Sequence, residues 1–244
     1  MSAPLLDLLA VGAAGFFGAF VGAVAGGGVT VVLLPVLVLQ VGIHQAVPIT
    51  TLALVAATTS RIVVYRREIV LPVVWWFSAG SVPLTVTGTY LFTVAPPDLL
   101  TRLLGGFLLV AVVWRRLRPR PPAPFHPAWF LPLGAAFGFL TGITAAVGTL
   151  LAPFFLGYGL RKRSYVGTVG FGLLLIQAAK LAVFGGTDFL LPPVLVKGAF
   201  LLPFMVAGTL VGRKLLDRLP ERAFVLLLEL VMVTAGLNFV LRGA

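Results

Sequence analysis

Val24-Ala25-Gly26-Gly27-Gly28-Val29-Thr30-Val31-Val32-Leu33-Leu34-Pro35-Val36-Leu37-Val38-Leu39-Gln40-Val41 carries no charge, and three consecutive glycines interrupt it. An upright membrane helix needs ~20 apolar residues. The glycines leave only a short apolar segment, residues 29–43, beyond the break. A span below ~17 residues either fails to cross upright or belongs to a re-entrant hairpin. A glycine break also frees backbone N–H and C=O groups. These are tolerated at membrane depth only when buried in protein or lining a wet cavity.

Outward from this stretch the chain is apolar almost throughout. Of its 244 residues, 59% are hydrophobic and 10% charged, too few polar residues to cover a soluble domain. Ten apolar segments stand out: residues 8–25, 29–43, 46–65, 70–92, 98–114, 129–146, 148–160, 165–184, 190–211 and 222–241. The seventh is short like the second, and it too follows a small-residue break, Ala145-Ala146-Val147-Gly148. The linker Arg115-Arg116-Leu117-Arg118-Pro119-Arg120-Pro121-Pro122-Ala123-Pro124 is too charged for lipid and too rich in proline for a helix. It divides the chain into a first transmembrane repeat, 1–114, a basic cytoplasmic linker, 115–128, and a second repeat, 129–244.

The halves repeat. Gly18, Gly22 and Gly28 recur 120 residues later as Gly138, Gly142 and Gly148. Pro72, Pro83, Gly88 and Thr89 recur at the same offset as Pro192, Pro203, Gly208 and Thr209, with small slips between blocks. Basic clusters follow the odd-numbered segments: Arg66-Arg67, Arg115 to Arg120, Arg161-Lys162-Arg163, and Arg213-Lys214 with Arg218. Placing those loops in the cytoplasm puts both termini outside. Five segments per half then predict inverted repeats; four would predict parallel ones. The expected fold is an all-α integral membrane protein of eight to ten membrane segments in two inverted repeats, each with a Gly-interrupted helix or re-entrant hairpin.

Several function classes drop out. The chain has no cysteine, hence no disulfide, thiol catalysis or Cys-based metal site. His44 and His126 fall in predicted loops, and no metal site is expected from them. No Walker loop, His-Glu-x-x-His motif or nucleophile elbow is present, so neither an enzyme nor a cofactor is expected. The net charge of +11 sits mostly in short inter-segment runs, the pattern of cytoplasmic loops and not of a nucleic-acid surface. Met1-Ser2-Ala3-Pro4 lacks a basic n-region, and no cleavable signal peptide is expected. Trp75, Trp76, Trp114 and Trp129 lie near segment ends, as an interfacial belt does.

The remaining polar residues suggest an anion. A helix starting after Gly26, Gly27 and Gly28, or after Ala146 and Gly148, would aim N–H groups and a positive dipole end at the break. Close helix packing through small residues is the plainer alternative. Arg61 and Lys180 lie inside apolar segments 119 residues apart, near-equivalent positions of the repeat. A charge deep in a bilayer costs ~2.5–3.5 kcal/mol, so the pair points to an anion pathway unless both snorkel to the headgroups. Thr50, Thr51, Thr168 and Gln177 offer hydrogen bonds to an oxyanion, or serve as helix–helix contacts. Glu229 is the one acid deep in a segment; it could carry a coupling proton or pair with Lys197, Lys180 or Arg61.

The chain resembles the sulfite exporter TauE/SafE family. The resemblance rests on Gly15-Phe16-Phe17-Gly18 through Val24-Ala25-Gly26-Gly27-Gly28, on His44-Gln45-Ala46-Val47 and on Tyr65-Arg66-Arg67. It continues in Gly138-Phe139-Leu140-Thr141-Gly142 and in Gly208-Thr209-Leu210-Val211-Gly212. It implies a secondary transporter, often outward-directed, for sulfite or organosulfonates. The expected partners are a small anionic substrate and the lipid bilayer, with protons as a candidate coupling ion and a homodimer as a candidate assembly. The expected location is the cell inner membrane. An anion channel or an integral-membrane enzyme is the alternative.

Overall fold

The computed structural model describes residues 11–20, 29–117, 126–144, 150–160, 162–215, 233–234 and 236–241. The chain is helical, with no strand among the described residues. The helices are α1 (Val11–Phe20), α2 (Val29–Val41), α3 (Ile43–Tyr65), α4 (Leu71–Val94), α5 (Pro97–Leu117), α6 (Phe130–Thr144), α7 (Ala152–Gly157), α8 (Lys162–Gly185), α9 (Pro192–Leu215) and α10 (residues 236–241). They follow the apolar segments read from sequence. Among the described residues, Ile43–Val63, Pro127–Thr144, Arg163–Gly185 and Pro192–Gly212 are long and apolar enough to cross a membrane.

Polarity is inverted relative to a water-soluble protein. Trp75, Val110, Val196 and Leu241 face outward, while Arg61, Lys180, Gln177 and many threonines are buried. Trp75 and Trp129 are each about two-thirds exposed near helix starts, where an interfacial belt would hold them.

Sequence reasoning set the helix breaks at Gly26 to Gly28 and at Ala145 to Gly148, which lie outside the described residues. Two further breaks appear, one per half. Gly42 joins α2 to α3 alone, with φ of 73°. Its N–H donates to the Val38 carbonyl, and its own carbonyl accepts from Ala46, both at 3.0 Å. Gly159, with φ of 104°, follows α7. There the Gly159 N–H donates to Leu156 and the Leu160 N–H to Phe155, the paired bonds of a Schellman motif. Left-handed backbone at both points suits glycine alone among these residues. The Gly42 turn also corrects the placement of His44: it lies in the first turn of α3, not in a loop.

Helix packing crosses the midpoint of the chain. Helix α4 lies on α6, with Gly134 against Phe77, Gly138 against Ser81 and Gly142 against Gly88. Both numbers rise together, so the two run parallel. Helix α1 meets α9 in the same way: Gly15 faces Leu201, and Gly208 faces the Phe16 carbonyl. Leu201 and Gly208 stand 120 residues after Ser81 and Gly88; Gly138 and Phe139 stand 123 after Gly15 and Phe16. One contact is thus built twice. Helix α8 packs on α4 as α3 packs on α9, and α3 and α8 pack on each other.

The α3/α8 contact is antiparallel. A Cβ placed on Gly167 would lie 3.1 Å from Tyr65, and one on Gly170 would lie 3.8 Å from Arg61. As α8 advances, α3 recedes. The pair Arg163–Glu68, at 3.8 Å on the exposed surface, ties the start of α8 to the turn Arg66–Glu68.

The small-residue seam makes one prediction. A side chain on Gly134 would overlap the Phe77 backbone, which has no rotamer by which to yield. Gly134→Val should cost about 3 kcal/mol or more through overpacking. It should be read as a sharply lower thermal midpoint or loss of monodisperse protein in detergent. Gly106, which meets nothing within 4 Å, should accept alanine without such loss.

Candidate functional site

The candidate site is built on α3 and α8, whose lengths suit a bilayer crossing and whose middles are buried. Arg61 and Lys180 do not snorkel: Arg61 is 3% exposed and Lys180 is fully buried.

Lys180 is the more telling of the two. Its ammonium donates one hydrogen bond, to the Thr141 carbonyl at the end of α6, at 3.1 Å. It also stands 5.9 Å from the centre of the Phe184 ring, one helical turn further along α8. No carboxylate pairs with it among the described residues. An ammonium has three donors. Gln177, three residues earlier and on the same helix face, is also buried, and its Oε1 has no hydrogen-bond partner. The side-chain amide can present NH2 or C=O to whatever arrives between the two.

Arg61 lies against the other end of α8. Its guanidinium is within electrostatic reach of the Tyr165 and Tyr65 phenols. Tyr165 is buried, and its hydroxyl has no hydrogen-bond partner among the described residues. Gly170 sits opposite Arg61, where a Cβ would make ordinary contact with the Arg61 Cβ at 3.8 Å.

The structure separates residues that the sequence suggested together. Arg61 is level with Gly170, and Lys180 is ten residues further along α8, about 15 Å along the axis at 1.5 Å per residue. Their head groups also have different neighbours: the Arg61 guanidinium is within electrostatic reach of Tyr165 and Tyr65, while the Lys180 ammonium bonds the Thr141 carbonyl and lies near the Phe184 ring. Val169, Leu173 and Ile176 fill the intervening stretch of the buried face.

The threonines have other tasks. Thr50 and Thr51 donate their hydroxyl protons to the Ala46 and Val47 carbonyls at 2.7 and 2.8 Å. An oxyanion needs donors, and these two are engaged. Thr168 accepts a hydrogen bond from the Val70 N–H at 3.0 Å, pinning the start of α4 to α8. Thr50→Val should therefore leave transport near normal and change stability by no more than ~1 kcal/mol, as read by proteoliposome flux and thermal unfolding. Gly26, Gly27, Gly28, Ala146, Gly148 and Glu229 lie outside the described residues.

Sequence reasoning missed Tyr165 and the aromatic groups beside each cation. Phe155 stands 6.5 Å from Tyr165 and 5.4 Å from Phe77. At the other end Phe92 stands 5.9 Å from Phe184, and His44 lies between Phe92 and Phe189 at 5.5 and 5.4 Å. Tyr165 was legible as a polar aromatic just inside a basic segment end. The cluster around His44 joins residues from α3, α4, α8 and the α8–α9 turn, which no local pattern links.

A polytopic helical bundle with apolar faces outside and cations shielded within is an all-α membrane protein. The family model described as sulfite exporter TauE/SafE matches residues 11–239, nearly the whole chain, and the protein belongs to that family. The family is one of membrane transporters for sulfite or related anions. No curated protein and no solved structure matches the chain.

Proposed function

We propose that the protein is a secondary transporter that exports sulfite or an organosulfonate by alternating access. The observation that carries this reading is Lys180, a fully buried ammonium with one carbonyl and one phenyl ring for company among the described residues. A buried charge without a counter-charge is costly. A small anion seated beside it offsets that cost and accepts from ammonium donors that no described residue uses. Gln177 would complete the contact.

The antiparallel packing of α3 on α8 supports inverted repeats. These helices occupy equivalent places in the two halves. With five crossings per half they must run in opposite directions; with four they would run alike. The repeated α4/α6 and α1/α9 contact fits a two-fold axis in the membrane plane. In this reading the halves are residues 1–114 and 129–244, with 115–128 as the linker, in the cell inner membrane. Basic loops face the cytoplasm and both termini face outward. Glu229 is a candidate carrier of a coupling proton or a structural partner for a buried cation, and a homodimer is a candidate assembly.

Purified protein in liposomes should release internal sulfite several-fold faster than protein-free liposomes. Arg61→Ala and Lys180→Ala should each fall to the protein-free rate while remaining folded. Full-rate flux in both would overturn the assignment. An imposed pH gradient should drive wild-type export and leave Glu229→Gln unaffected if Glu229 couples protons.

A further inference from the structure

Two cations that served one anion would converge on it. Here Arg61 is level with Gly170 and Lys180 stands ten residues further along α8, and near each is a buried polar atom with no hydrogen-bond partner among the described residues: Gln177 Oε1 near Lys180, the Tyr165 hydroxyl near Arg61. Tyr165 is 6% exposed, and a buried hydroxyl without a hydrogen bond loses its hydration with no return. Nothing apolar explains a phenol at that place where a phenylalanine would pack equally well. Val169, Leu173 and Ile176, all buried, lie along α8 between the two ends. Each end also abuts its own aromatic cluster, Phe77 with Phe155 and Phe92 with Phe184.

We infer that the pathway holds two oxyanion stations at different depths, an inner one formed by Arg61 with the Tyr165 hydroxyl and an outer one formed by Lys180 with Gln177. This rests on the anion-transport reading above and refines it. The ligand class is a small oxyanion with several acceptor oxygens. At the inner station the phenol donates to one oxygen while the guanidinium, planar and forked, takes others. At the outer station the ammonium donates, and the Gln177 amide donates when it turns its NH2 to the place held by the unpartnered Oε1.

Anaerobic calorimetric titration of sulfite into the purified full-length protein in detergent tests it. Two equivalents per chain are expected. Tyr165→Phe should keep the fold and weaken one class of site about tenfold or more, the worth of a hydrogen bond to a charged ligand, while leaving the other unchanged. Lys180→Met should abolish the second class and spare the first. One equivalent per chain, lost in both variants, would overturn the two-station arrangement and leave anion transport standing. Unchanged binding in Tyr165→Phe would remove Tyr165 from the site. No binding of sulfite, sulfate or methanesulfonate to the wild type would overturn both this inference and the transport reading.

Discussion

Lys180→Met should yield a protein that unfolds at a temperature no lower than the wild type and that moves no anion. The two effects share one cause. Methionine keeps the unbranched stem of lysine and packs against Phe184 and the end of α6 as the lysine stem does. What it removes is a fully buried ammonium holding one hydrogen bond, to the Thr141 carbonyl. Replacing buried charge with apolar atoms of similar volume commonly gains ~1–4 kcal/mol. Against that stands one lost hydrogen bond, net ~1 kcal/mol, with a carbonyl left to find another donor. The balance favours the variant or is near zero. Most core substitutions destabilise, so an inert variant at least as stable as the wild type would mark Lys180 as kept for function. Two measurements check this: thermal midpoint in detergent, and sulfite flux in liposomes. The midpoint of the wild type should also rise with sulfite and that of Lys180→Met should rise less, since ligand stabilises only what it binds. A Lys180→Met protein several degrees less stable than the wild type, with the same response to sulfite, would make the lysine a structural residue.

The helical spans were legible because lipid solvent imposes a simple rule. A helix must satisfy its own backbone and present apolar side chains for ~20 residues. Charges at Arg66-Arg67 and the proline-rich linker then punctuate the chain. The α1/α9 and α4/α6 seams were legible as recurring glycines, though the contact offset for α1 and α6 is 123, a helical turn's fraction from the 120 seen in the alignment of α4 with α9. The burial of Arg61 and Lys180 was legible as a choice between pathway and snorkelling, and burial decides against snorkelling. Their separation was not legible. Equivalence in a repeat says that two residues are related by the symmetry axis, and residues far from that axis are related yet distant. An antiparallel α3/α8 pair places equivalent residues at opposite ends. Nor could hydroxyl patterns show that Thr50 and Thr51 spend their protons on the preceding helical turn, a habit of threonine in helices that any threonine-rich segment conceals.

If the halves move against each other, the α3/α8 contact must slide or pivot, and a bond across it will stop transport. Tyr65 and Gly167 offer the place. A Cβ on Gly167 would lie 3.1 Å from the Tyr65 Cβ, and disulfides favour about 3.8 Å, so a shift of well under 1 Å would accommodate the bridge. The wild-type chain has no cysteine, so Tyr65→Cys with Gly167→Cys introduces the sole pair. The Tyr65 phenol is within electrostatic reach of Arg61, so the Tyr65→Cys single variant is the reference for flux. The reduced double variant should transport at a rate comparable to the single variants. Oxidation should drop flux to the protein-free level, and reduction should restore it. The bridge joins sequence positions a hundred residues apart, and a loop so long gives a mobility shift readable on a denaturing gel, which counts the crosslinked fraction directly. Flux should fall in proportion to that fraction. The same bridge also tests helix direction, because a parallel α3/α8 pair would bring Tyr65 beside the far end of α8 and leave Gly167 out of reach. Complete crosslinking with undiminished flux would mean that anions pass without relative movement of α3 and α8. The carrier would then have to work by side-chain gating alone, with Phe92 and Phe184 at one end and Phe77 and Phe155 at the other as the parts that move.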